Sequence, residues 1–159
     1  MDDIYKILKD LEINFEEYKH PAVFTVEEAE KCRGNIEGAR IKNLFLRNKK
    51  GDRHYLLVAD AFKKIDLSLV CQAIGEKKVS FASPERMKKY LGLAPGAVSP
   101  FGVINDRNKK VVILIDKDIL TFAKLNFHPN INTATIQISK EDFLKFIKWA
   151  GNKIIEITI

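Results

Sequence analysis

The sequence predicts a single α/β domain of the α+β type: a mixed, largely antiparallel curved sheet or barrel flanked by helices. Three observations carry this. Strand-sized apolar segments outnumber helical ones, and the longest, Tyr55–Ala59 and Val111–Ile115, are far too short to cross a membrane. Two pairs of such segments are joined by short polar turns, Asn48–Arg53 and Asn105–Lys110, the pattern of β-hairpins and so of antiparallel pairing. The helical segments carry their own start or stop signals. At 159 residues one core suffices, and no repeat, low-complexity stretch or linker divides residues 1–159.

Taken in order, Asp2 or Asp3 caps a helix reaching to about Glu12, with Ile4, Ile7, Leu8 and Leu11 on one face. Asn14 ends it, and Phe15–Tyr18 reads as a short strand stopped by His20-Pro21. Thr25 and Glu28 form a capping box for a helix that stops near Gly34. Ala39–Arg47 and Tyr55–Ala59 are the arms of the first hairpin. A helix at about Leu67–Ile74 ends on Gly75, and Val79–Phe81 is a brief strand. Ser83-Pro84-Glu85 opens a helix, with proline at its first position, that ends before Gly92. Val103–Ile104 and Val111–Ile115 are predicted as a second hairpin, with a helical turn at Lys117–Leu120. Thr133–Ile138 reads as a strand, Ser139–Asp142 caps a helix over Phe143–Ala150 closed by Gly151, and Ile154–Ile159 is the last strand.

Composition narrows function only a little. Lys and Arg number 27 against 21 Asp and Glu, a formal charge of +6 that suits a polyanion such as RNA without requiring one. Cys32 and Cys71 stand far apart with no CxxC, so free thiols in a reducing cytosol are expected rather than a zinc site or disulfide framework. The acidic, amphipathic N-terminus is not a signal peptide, and a cytoplasmic protein is expected. No P-loop, GxSxG elbow, HExxH motif or dinucleotide fingerprint is present, so neither a metal nor a cofactor is expected.

The stretch Leu91–Asp106 stands out. Gly92, Pro95, Gly96, Pro100 and Gly102 exclude a regular helix or central strand, while Leu93, Val98, Phe101 and Val103 make it too apolar for a solvated linker. A rigid, partly buried loop remains, with an ordinary pair of tight turns as the plainer account. Lys42 lies in an otherwise apolar strand and by alternation shares a face with Leu44 and Leu46. Either it has work or a partner there, or it is an edge-strand lysine that blunts aggregation, and spacing leaves the two even. His20 and His128 each precede proline at a turn, and His54, beside charged residues, reads as surface.

Three segments taken together resemble one family. Lys42-Asn43-Leu44-Phe45-Leu46, then Gly92–Gly102, then Phe127-His128-Pro129-Asn130 are similar to the aminoacyl-tRNA editing fold. That family comprises the insertion domain of bacterial prolyl-tRNA synthetase and the free-standing YbaK and ProX-type deacylases. Lys19-His20-Pro21 and Thr25–Ala29 resemble its N-terminal segment, so the likeness runs in order through nearly the whole chain. No synthetase module is attached, and a stand-alone protein acting in trans is expected.

The resemblance implies hydrolysis of the ester joining a wrong amino acid to the 3′-terminal adenosine of tRNA. It places Lys42, Gly92 and His128 at the chemistry. It places Asn43, Phe45, Pro95, Gly96, Val98, Ser99, Pro100, Gly102 and Asn130 at the substrate. A ribose hydroxyl of the tRNA then helps position water, and Lys42 with fixed main-chain amides orients the ester. The forms Lys-Asn-Leu-Phe-Leu and His-Pro-Asn point to alanine as the residue removed, from Ala-tRNA(Pro). Ile41, Leu44, Phe45 and Val98 are candidate pocket walls, which core packing explains equally well. His20, Lys49, Lys50 and Arg53, and also Arg107, Lys109 and Lys110, could meet tRNA, although the lysine-rich turns need only solubility to explain them. Mischarged proline tRNA is the expected partner, with prolyl-tRNA synthetase a transient one and no membrane involved. The rivals are a Cys-tRNA(Pro) or other deacylase, a non-catalytic module that senses aminoacyl-tRNA, and a small-molecule-binding domain.

Overall fold

A computed structural model describes residues 3–22, 25, 27, 28, 31 and 36–159. Strand β2 (Ala39–Asn48) organises the rest of the sheet. It is ten residues long and has three partners. Along one edge it pairs antiparallel with β3 (His54–Asp60) from Ile41 to Arg47. Along the other edge Ala39 and Arg40 pair in parallel with β6 (Lys124–Phe127), and Leu46–Asn48 pair antiparallel with β4 (Val79–Phe81). The sheet therefore forks at β2. Between the fork's arms, Ile41–Phe45 face no strand among the described residues on that side.

The remaining strands are β1 (Glu16–Lys19), β5 (Val111–Asp116), β7 (Ala134–Ser139) and β8 (Ile154–Ile157). The order is β1-β7-β6-β2-β3-β5-β8, with β4 on β2, an open eight-stranded mixed sheet. Helices α1 (Ile4–Asp10), α2 (Leu67–Ile74), α3 (Pro84–Leu91) and α4 (Lys140–Ala150) flank it, with 3₁₀ helices at Pro100–Asn105 and Lys117–Thr121. The caps that the sequence predicts at Asp3, Ser83 and Ser139 form, and Asp66 is a further one that it did not single out. Asp3, Asp66, Ser83 and Ser139 cap α1–α4, and Gly75, Gly92 and Gly151 stop α2–α4 in the left-handed conformation. The predicted Thr25–Gly34 helix falls largely outside the described residues; of it, Glu27, Glu28 and Lys31 are helical, and Thr25 Oγ1 accepts from the Glu28 amide at 3.0 Å.

Both faces of β3 and β5 are covered. Phe101, Phe127, Phe143 and Phe146 fill one side with ring centroids 4.9–5.5 Å apart, and Leu46, Leu57, Leu114, Val70 and Ile157 fill the other. That double burial is why these strands read as continuous apolar runs.

The second hairpin is not formed. Pro100–Asn105 is a 3₁₀ helix capped by Ser99, whose Oγ accepts from the Phe101 amide. Strand β5 instead runs parallel to β3 and to β8. The turn after the 3₁₀ helix is wound around buried Asp106. Its carboxylate accepts from the Lys110 and Val111 amides (3.1 and 2.8 Å) and from Asn152 Nδ2 (2.9 Å). Those bonds send the chain into β5 rather than back along Val103–Ile104. Strand β6 was not predicted either.

Candidate active site

Lys42 sits in the fork of β2, half-buried. Its Nζ donates to the carbonyl of Lys63, on the segment between β3 and α2. That segment is strongly tied down. Asp60 Oδ1 accepts from the Phe62 amide at 2.9 Å, the Lys63 amide donates to Asp60 O at 3.1 Å, and the Ala61 amide donates to Arg40 O at 2.7 Å. Lys63 Nζ donates to Asp116 Oδ1 (2.9 Å), Asp118 Oδ2 (2.7 Å) and Ile159 O (3.0 Å). Burial pulls the Lys63 ammonium down, but its bonds to Asp118 and Asp116 outweigh this and the net shift is upward. Sequence reasoning missed this clamp because its members are far apart in the chain and belong to no motif.

Asn43 points the other way along the strand, as alternation requires. Its Nδ2 donates to Val98 O at 3.3 Å, which fastens the Gly/Pro loop to β2. Asn130 does the same from the other side, its Nδ2 donating to Phe101 O at 3.4 Å from a left-handed backbone (φ 64°). The amide oxygens of both residues are buried without a partner. Buried acceptors of this kind carry a cost unless something donates to them. Asn43, Val98 and Asn130 are thus brought together around the loop.

Other expected substrate residues are buried in the core rather than exposed on the loop. Phe45, Ser99, Pro100 and Gly102 are buried. Ser99 Oγ is spent as a cap, and Gly102 has no side-chain room, since a Cβ there would lie 2.6 Å from Leu93 Cδ1. The amides of Ala97 and Gly102 donate within the loop, to Ala94 O and Ser99 O. Gly92, expected at the chemistry, is the left-handed stop of α3, its amide donating to Lys88 O. Pro95 is exposed and Gly96 (φ 87°) is half-buried at the turn.

His128 and His20 meet edge-on, with centroids 6.0 Å apart. His128 Nδ1 lies 2.9 Å from Ala134 O, and His20 Nδ1 lies 2.9 Å from Pro21 O. Carbonyls only accept, so both Nδ1 atoms carry a proton. His20 Nε2 lies 2.9 Å from the Thr135 hydroxyl. Burial holds His128 below the ordinary histidine value, against the opposing bond to Ala134, so it is neutral at physiological pH.

His54 corrects its surface reading. It is 1% exposed, packed 4.1 Å from Tyr90 and 5.6 Å from Phe45, with Nε2 3.0 Å from Arg86. Burial and the nearby Arg86, Arg47 and Lys89 push it down to about 4. Strand β3 is covered on both faces, so its first residue is buried despite charged neighbours in sequence.

Lys49, Lys50 and Arg53 lie at the far end of β2, about 23 Å along the strand from Lys42 at ~3.3 Å per residue. With Lys77, Lys78, Asp52 and Glu76 they line an open basin of about 700 Å³. Arg107, Lys109 and Lys110 sit on the turn before β5, another separate place. Among the described residues no cluster of three metal-ligating side chains forms, and no helix is long and apolar enough to cross a membrane.

Residues 20–146 match the model of the aminoacyl-tRNA editing domain. The chain is 47% identical to the prolyl-tRNA editing protein ProX of Acetoanaerobium sticklandii, over 94% of this chain and 93% of that one. It is 34% identical to a prolyl-tRNA synthetase associated domain-containing protein of Bos taurus, covering 91% and 86%. A crystal structure of a candidate trans-editing enzyme for prolyl-tRNA synthetase superposes with a TM-score of 0.72 at 19% identity, covering 100% and 98%.

Proposed function

The chain belongs to the aminoacyl-tRNA editing domain family, and from that membership we infer an aminoacyl-tRNA deacylase that clears mischarged tRNA(Pro), with Ala-tRNA(Pro) as its substrate. The observation that carries the reading is the likeness to prolyl-tRNA editing protein ProX, which spans nearly all of both chains. The fork of β2 supports it, because it sets Lys42 and Asn43 next to each other at a strand edge that no other strand covers among the described residues.

The reaction asks little of the protein. Water adds to the ester carbonyl, negative charge gathers on the former carbonyl oxygen, and the ribose oxygen leaves with a proton. Lys42, held by Lys63 O, supplies positive charge and a donor where that oxyanion forms. Asn43 and Asn130 offer unpartnered amide oxygens to donors on the substrate, which the α-ammonium and ribose hydroxyls provide. His128, neutral with a bare Nε2, serves as an acceptor rather than a charge. No side chain forms a covalent intermediate in this scheme, and Ser99 has its hydroxyl committed elsewhere.

Alanine as the residue removed rests on the sequence forms Lys42–Leu46 and His128–Asn130. Excluding proline by clash against Ile41 and Val98 is easier than rejecting a smaller side chain, where one methylene is worth only ~1–3 kcal/mol. A second reading has a specific support: the chain is 25% identical to the multifunctional Ser/Thr-tRNA deacylase ProXp-y of Escherichia coli. Hydrolysis of Ala-, Cys-, Ser- and Pro-charged proline tRNA, run side by side, separates the two. Loss of alanine with proline spared supports the proposal. Preferential loss of serine or cysteine keeps the reaction and moves the specificity, and hydrolysis of none refutes the deacylase.

A further inference from the structure

Phe62 is the most exposed large apolar side chain among the described residues, at 65%. A mobile surface phenylalanine would carry little meaning, but this one is held. Its own amide donates to Asp60 Oδ1 at 2.9 Å, and the amides on either side donate to Arg40 O (2.7 Å) and Asp60 O (3.1 Å). The next residue, Lys63, is pinned through Nζ to buried Asp116. The Arg40 guanidinium lies 5.6 Å over the Phe62 ring. Arg40 is two residues before Lys42 on β2, so the two share a face, and the carbonyl that receives Lys42 Nζ belongs to the residue after Phe62.

We propose that Phe62 and Arg40 form a stacking platform for one unpaired base of the tRNA 3′ end. A rigid, exposed aromatic ring paired with a guanidinium is the arrangement that takes a nucleobase: the ring offers a π-face and the cation draws in the adjoining phosphate. Its place beside Lys42 fits the occupant, because the ester is carried on the terminal nucleotide of a single-stranded end. The inference rests on the deacylase reading for its biological substrate, but the platform is tested by binding alone.

The experiment measures affinity of the full chain for uncharged proline tRNA, intact and with its three 3′ nucleotides removed. Phe62→Ala weakens binding of intact tRNA by about five- to 150-fold, the range that truncating a base-stacking aromatic spans. Phe62→Tyr restores it, and the penalty of Phe62→Ala disappears on the truncated tRNA. Because Phe62 is exposed, an unchanged melting temperature for Phe62→Ala is expected and is checked first. Equal affinities of Phe62→Ala and wild type for intact tRNA would overturn the proposal. So would an equal penalty on intact and truncated tRNA, which would assign the ring to the stem, and so would unimpaired tRNA binding with lost binding of a synthetase. Failure of wild type to hydrolyse any charged tRNA, with the stacking result as expected, refutes the enzyme and leaves the platform standing.

Discussion

Replacing Lys63 with methionine removes the cation from the clamp under Lys42 while keeping most of the side chain's bulk. Lys63 Nζ makes three bonds, to Asp116, Asp118 and Ile159 O. They are not equal. Asp118 is 65% exposed, so its pair with Lys63 contributes only ~0–1 kcal/mol. Asp116 is 1% exposed, and stripping the cation from a buried carboxylate costs about 3–5 kcal/mol in a fully buried pair. Here Lys63 is 20% exposed, and Asp116 still accepts from the Asp60 amide (3.3 Å) and the Asp118 amide (3.0 Å), so water and those donors recover part of the loss. The expected destabilisation is about 2–3 kcal/mol, or a melting temperature lower by roughly 4–12 °C at this chain length. Urea unfolding of Lys63→Met, Asp116→Asn and the double variant measures it, and the double variant should cost less than the sum. The folded ammonium has its pKa raised, so its contribution is complete below about pH 10.4 and is lost as pH climbs through the raised value. The gap between wild type and Lys63→Met therefore stays flat across neutral pH and closes only in alkali. A loss under 0.5 kcal/mol, or strict additivity, would refute the clamp.

His54, neutral in the fold and shifted to about 4, binds fewer protons folded than unfolded between pH 6.5 and 4. Wild-type stability should fall as pH drops through that window, by at most about 3 kcal/mol from this residue, and His54→Phe should flatten the slope in pH-dependent thermal melts. Gly102→Ala should cost about 1–3 kcal/mol, because the new Cβ meets Leu93 Cδ1 at 2.6 Å and Leu91 Cβ at 3.2 Å in a filled core. Phe101→Ala, emptying a site that touches Phe127 and Phe146, should cost about 3–5 kcal/mol in chemical denaturation and loosen the carbonyl that Asn130 holds.

Local signals were legible where one segment decided its own structure. Ser83 and Ser139 cap helices, and Gly75, Gly92 and Gly151 stop them, as their positions in the sequence imply. Ser99-Pro100 is the same signal as Ser83-Pro84 and starts a 3₁₀ helix, yet Val103 and Ile104 read as a strand because so short an apolar run suits either form. The parallel placement of β5 depends on Asp106 and Asn152, 46 residues apart, and is written in no local pattern. Of the residues the ordered motifs single out, Asn43, Val98 and Asn130 come together around the Gly/Pro loop. The motifs did not separate residues that face the fork from those that brace it: Phe45, Ser99, Pro100 and Gly102 carry the same motifs but lie in the core. The Lys63–Asp116 clamp and the Phe62–Arg40 stack come from folding distant segments together, so no motif announced them.

The most direct test of the account is single-turnover hydrolysis of Ala-tRNA(Pro) by wild type and Lys42→Ala, with melting temperatures measured in parallel. Loss of one donor to the oxyanion predicts a rate lower by about 10²–10³-fold in a variant that remains folded and still binds tRNA. Equal rates in the two proteins, or no hydrolysis by wild type beyond the spontaneous rate, would contradict it.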